Sequence, residues 1–139
     1  MSRGGFSFFV SGEPRTKGSK SLMRTKSGRY LMIEASANKL RKWMKAVTLS
    51  GSMVFNKPIE GAVILICIFY LKKPKTVKRD IPHVKPDLDK LIRAINDSLI
   101  GVAFRDDSQV VHIEARKVYS TASEQGCFIR IMQHGGDGR

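Results

Sequence analysis

At 139 residues, with 42% hydrophobic and 27% charged residues, the chain has bulk for one modest core and the balance of a folded protein, not a disordered one. Its net charge of +13 and pI of about 10.2 point to nucleic acid as partner. They fit an anionic membrane surface less well, because no basic amphipathic helix with spare bulky apolar residues is visible.

In chain order, residues 6–10 (FSFFV) are short, aromatic and β-prone, and Gly12 and Pro14 end them. Residues 14–29 carry Arg15, Lys17, Lys20, Arg24, Lys26 and Arg29 with no acid, among Gly, Ser and Thr, and read as a basic loop. Residues 33–55 read as the first helix: Leu40, Trp43, Met44, Val47 and Val54 recur at three- and four-residue spacing. Lys39, Arg41, Lys42 and Lys45 take its other faces, Ser36 is a candidate N-cap, and Asn56 ahead of Lys57-Pro58 stops it.

Residues 62–71 are apolar in both alternating sets, Val63, Leu65, Cys67 and Phe69 against Ile64, Ile66, Ile68 and Tyr70. Such a strand is either central in a covered sheet or part of a subunit interface. At about half the length of a membrane span, it is too short to cross a bilayer. Residues 72–79 form a second acid-free loop with Lys72, Lys73, Lys75, Lys78 and Arg79. The second helix lies within residues 85–101, where Leu88, Leu91, Ile92, Ile95, Leu99 and Ile100 mark one face and Gly101 ends it. Residues 109–119 alternate as a half-buried strand, residues 127–132 form a last one, and residues 134–139 are a loose tail. The order β-α-β-α-β-β predicts an α/β (α+β) fold: a single domain over residues 1–139 with a mixed β-sheet and two helices. No secretory signal is visible, and neither Cys67 nor Cys127 has a metal-ligand spacing. Reduced, packed thiols in a cytoplasmic protein are expected.

The charges are unevenly placed. Eleven of the 25 bases sit in the two loops, leaving 14 bases against 12 acids elsewhere. Such loops suit phosphate contacts that confer affinity without sequence information. Seven of the twelve acids fall between residues 80 and 114: Asp80, Asp87, Asp89, Asp97, Asp106, Asp107 and Glu114.

On a continuous helix Asp87 and Asp89 would point roughly 200° apart. Lys85, ahead of Pro86, favours an extended backbone, so the helix starts near Asp87 and the two carboxylates can converge. Both also suit ordinary duties, as N-cap, as first-turn acids, and in the i, i+4 pairs Asp89–Arg93 and Arg93–Asp97. Asp106, Asp107 and Ser108 likewise suit the turn that opens a strand. Acids at a helix start and at the next strand's start can also meet at one sheet edge, where they repel unless protons or a cation neutralise them. Oxygen-only ligands select a hard ion, Mg²⁺ foremost with Mn²⁺ able to substitute. Beside two basic loops, such a site has the parts of a nuclease.

KPDLDKLIRAINDSLIG, a short spacer and RDDSQV together resemble the RusA-type Holliday junction resolvases, common in phages and prophages. That family's pattern is approximately D-x-D-N-L, a basic residue, a D-[AS]-L-x-G-like helix end and D-D-x-Q. The resemblance spans residues 5–132, and its specific part is 85–110. It implies a homodimer that binds branched DNA, the four-way junction, and makes paired, symmetric, Mg²⁺-dependent cuts in recombination and repair, with no small-molecule cofactor.

Carried over by position, Asp87, Asp89 and Asp107 are the catalytic, metal-binding aspartates. Asp97 and Asp106 revert to structural roles. Arg93 stands where the family has a functional lysine: it keeps the charge and can grip phosphate, but cannot release a proton near neutral pH. Lys90 stands where the family has Asn and joins Lys85 and the loop residues as a DNA contact. His83 and His112 fall in no catalytic pattern. The alternatives are a non-catalytic nucleic-acid-binding protein whose acids are caps and surface pairs, and a nuclease of flaps or forks.

Overall fold

The computed structural model describes residues 5–18, 27–121 and 124–135. Its elements are β1 (Gly5–Ser11), α1 (Ser27–Ser52), β2 (Val63–Leu71), α2 (Leu88–Leu99), β3 (Val110–Tyr119) and β4 (Gly126–Gln133), in the expected order. A single 3-10 turn, Asp107–Gln109, precedes β3. The four strands form one mixed sheet in the order β1-β4-β2-β3. β4 runs antiparallel to both β1 and β2, and β3 runs parallel to β2.

Side-chain alternation gives this sheet two unlike faces. Val63, Leu65, Cys67 and Phe69 of β2 face the helices, with Cys127, Ile129 and Ile131 of β4 and Val10 of β1 beside them. Onto these pack Trp43 and Val47 of α1 and Leu91, Ala94, Ile95 and Leu99 of α2. The helices approach closely at Gly51, where an added Cβ would come within 2.8 Å of Leu99 Cδ2. Thr48 Oγ1 donates to Ser98 O at 2.7 Å across the same contact. Both cysteines are free and buried, and burial, reinforced by the neighbouring Cys67, pushes the Cys127 thiol up and keeps it protonated.

The opposite face carries no helix among the described elements. Ile64, Ile66, Ile68 and Tyr70 of β2 are only half-buried there, beside Phe128 and Met132 of β4 and Phe9 of β1, which is 41% exposed. The expectation of a strand apolar on both faces therefore holds, but only one face is covered among the described residues. No helix among the described residues is long and apolar enough to cross a membrane.

The first helix differs from its expected bounds at both ends. It begins at Ser27, so residues 27–29 of the expected basic loop are helical and Ser36 lies in the helix interior, not at its cap. Arg, Leu, Met, Ala and Glu in this stretch sustain a helix before the apolar period becomes visible. It stops at Ser52, and the N–H groups of Val54 and Phe55 both bond Gly51 O at 2.9 Å. That turn swings Phe55 into the core, its ring 4.5 Å from that of Phe6. The expected loose tail begins with an anchored residue, since His134 N–H bonds Ala62 O at 2.7 Å. Residues 136–139 lie outside the described residues.

Candidate active site

At the entrance to α2, Asp87 has the extended backbone of an N-cap residue (φ −73°, ψ 131°), yet its side chain makes no cap hydrogen bond. Its carboxylate pairs instead with Lys90 Nζ at 3.3 Å. Asp89 is exposed in the first turn, and its carboxylate has no partner among the described residues. The ordinary duties open to these acids are thus mostly unperformed. Neither expected i, i+4 pair forms. The Arg93 guanidinium lies against Gly18, and Asp97 pairs with Lys17 at 2.7 Å. Lys17 N–H also bonds Lys90 O at 3.1 Å, so the segment 13–18 is tied down along α2.

That segment and the α2 entrance enclose an open cleft of about 690 Å³, lined by Glu13, Pro14, Arg15, Thr16, Gly18, Lys85, Pro86, Asp87 and Lys90. Three of the expected DNA-contacting residues, Arg15, Lys85 and Lys90, line it. A smaller cavity of about 240 Å³ adjoins it through Glu13, Pro14, Lys85 and Pro86 and adds Lys72 and Arg79. Arg79 Nε donates to Tyr119 Oη at 2.9 Å, and Lys73 Nζ sits 5.8 Å from the centroid of the same ring. Lys75 and Lys78 are exposed on this loop. Lys20, Arg24 and Lys26 lie outside the described residues, and Arg29 is described only as backbone of α1.

Lys117, absent from the sequence-based candidates, fixes the approach to Asp87. Its Nζ donates to Val84 O at 2.5 Å and to Pro86 O at 2.7 Å, holding both sides of Lys85. The alternation of β3 placed Lys117 on the apolar side of its strand, opposite Phe69, and that mismatch was the available signal.

Asp107 lies elsewhere. It opens the 3-10 turn before β3, exposed, its carboxylate without a partner among the described residues. Its neighbour Asp106 caps the turn, accepting from Ser108 N–H at 3.0 Å, and those Ser108 hydrogen bonds hold its carboxyl below the usual range. Gln109 completes the capping box. Its Oε1 accepts from Arg105 N–H at 2.7 Å and Asp106 N–H at 3.1 Å, while Nε2 donates to Ile59 O and Gly61 O at 2.8 Å. The Asp-x-x-Gln spacing was readable as such a box. Asp106 thus has the structural role expected of it.

The distance between the two acidic sites follows from topology. Lys117 ties the α2 entrance to the C-terminal end of β3, whereas Asp107 precedes its N-terminal end. From Val110 to Lys117 the strand climbs roughly 23 Å at ~3.3 Å per residue. Within one chain, therefore, Asp107 does not meet Asp87 and Asp89. No group of three His, Cys, Asp or Glu able to hold a metal ion occurs among the described residues. One chain by itself does not fit a three-carboxylate cation site.

The endodeoxyribonuclease RusA family profile matches residues 11–132, nearly the whole chain. The chain is also 28% identical over 138 residues to an uncharacterized protein of Bacillus subtilis (strain 168), YqaN, covering 88% of this chain and 94% of that relative.

Proposed function

The chain belongs to the RusA family of endodeoxyribonucleases, which bind branched DNA and resolve Holliday junctions, and from that membership we propose a cytoplasmic, homodimeric, Mg²⁺-dependent resolvase that cuts both strands of a four-way junction symmetrically. The observation that carries this reading is the cleft at the α2 entrance, where a cationic rim surrounds a carboxylate that caps nothing. In a chain of charge +13, acids whose side chains cap nothing, beside bases that attract phosphate, are suited to chemistry on that phosphate. Arg15, Lys85 and Lys90 position the backbone. Arg93, one turn farther along and lying against Gly18, supplies charge that never dissociates.

The dimer is what completes the acidic set. The uncovered apolar face of the sheet suits a second copy of the same face. A two-fold axis lying between the faces and across the strands reverses one sheet against the other. The N-terminal edge of one sheet then adjoins the C-terminal edge of its mate. Asp87 and Asp89 of one protomer thereby come to the same end as Asp107 of the partner subunit. Ile68→Lys, which adds a cation to a face already carrying Arg116 and Arg130, is expected to weaken self-association about 100-fold through an unpaired buried charge. Sedimentation of a dimeric wild type and a monomeric variant checks this; a variant that remains dimeric at micromolar concentration removes the face from the interface.

The function is tested with a labelled four-way junction incubated with and without Mg²⁺, alongside flap and fork substrates. Paired nicks at symmetric positions of the junction are expected. Binding without cleavage under every divalent ion would sink the enzyme reading, and faster cutting of flaps or forks would move the substrate.

A further inference from the structure

Building on the junction-cleaving reading, we propose that one double-helical DNA arm leaves the cleft across α1, with its phosphates held by Arg15, Lys39 and Lys42. A second groove, of about 270 Å³, runs between the end of β1 and α1, and Arg15, Lys39, Lys42 and Trp43 are among its lining residues. Arg15 also lines the cleft at the α2 entrance, so the two depressions share this residue. Trp43 and Gly12 meet beneath the groove. Trp43 is only 3% exposed, and Gly12, at φ +137°, lets the chain pass over the indole, where an added Cβ would already touch Cε3 at 3.5 Å.

Two of the three cations along this path are free to take a ligand. Lys39 and Lys42 are exposed, and neither has an ion-pair partner among the described residues. Lys17, Lys90 and Arg105, by contrast, are each paired with a carboxylate. The two lysines are three residues apart on a helix, so they stand one above the other, about 4.5 Å along the axis. The acid on the path, Glu13, pairs with Arg15 at 3.1 Å, and a phosphate would share or replace it there. A solvated helix face would explain the lysines alone. It does not explain their continuity, through Arg15, with the cleft that holds Asp87. A row of bases without base-reading side chains takes the sugar-phosphate backbone and so accepts any arm sequence.

Arg41 provides the control. Two residues from Lys39, it points about 200° away around the same helix and is bonded by the Asn38 side chain. Binding of a labelled four-way junction is measured in EDTA, so that affinity is read without cleavage. Lys39→Glu and Lys42→Glu are each expected to weaken binding at least about 5-fold, and Arg41→Glu, with the same change in net charge, less than about 2-fold. In the pair Lys39→Gln/Lys42→Gln, the slope of log affinity against log salt should become shallower by about 2, since each phosphate contact contributes ~0.9.

If Arg41→Glu weakens binding as much as Lys42→Glu, overall charge is responsible and the α1 path is overturned. If the wild type binds the junction and these differences appear, but nothing is cut with Mg²⁺, the nuclease reading falls while the α1 path stands. A wild type that binds no junction overturns both.

Discussion

In the proposed dimer, Asp89→Asn protomers and Asp107→Asn protomers, each inactive alone, are expected to regain strand cleavage when mixed. Each homodimer carries the lesion in both of its sites, and cleavage is expected to fall by about 10³-fold, the scale on which a preorganised charge at a reacting phosphate is felt. In a mixed dimer the two lesions fall together in one site. The other site, as proposed, would pair intact Asp87 and Asp89 of one protomer with the intact Asp107 of the partner subunit. The restored activity should therefore be a single nick per junction, without the paired cut that separates it into two duplexes.

Junction binding by Asp89→Asn should be kept or tightened, because a negative charge near phosphate is removed. Mixing followed by a labelled-junction cleavage assay decides the point. If both homodimers are inactive and the mixture stays inactive, each site lies within one chain. If Asp107→Asn cuts normally by itself, that residue has no place in the site.

Lys117→Met is expected to lower the cleavage rate by about 100-fold while leaving junction affinity within about 3-fold. The ammonium bridges Val84 O and Pro86 O, the carbonyls on either side of the residue that leads into Pro86-Asp87. Methionine keeps the stem and the packing opposite Phe69 but offers nothing to those carbonyls. The segment then drifts, and a displacement of about 1 Å at a reacting group is enough for a loss of this size. Single-turnover cleavage and equilibrium binding, measured side by side, separate positioning from substrate capture. A loss shared equally between rate and affinity would make Lys117 a DNA contact instead.

Much of this molecule was legible in its residue order. The doubly apolar run of β2, the periodic faces of both helices and the alternation of β3 each report a local geometry, and local geometry follows from spacing alone. The same holds for the Asp106–Gln109 box, in which every partner but two carbonyls lies within five residues. The start of α1 was less visible because the helix begins before its buried stripe does, and a pattern defined by burial cannot report a turn that buries little.

The candidate site divides along the same line. Its chemistry is local: bases gathered in two acid-free segments, and acids gathered around α2, are properties of the chain before it folds. Which of those charges remain free is a property of the tertiary structure. Contacts across the chain commit Lys17 to Asp97, draw Lys117 beneath Pro86 and turn Arg93 toward Gly18, leaving Asp89 and Asp107 without a partner among the described residues and Asp87 paired only with Lys90.

The deepest difference concerns Asp107, which sequence distance places near Asp87 and Asp89 and the fold does not. A parallel pairing of β2 and β3 requires a connection that returns along the whole sheet, and α2, about 18 Å long, makes that return. The sequence alone therefore determined which carboxylates are gathered around α2 and the start of β3. The direction of a single strand decided that one chain cannot bring all three together, because a helix entrance and the following parallel strand's start lie at opposite sheet edges.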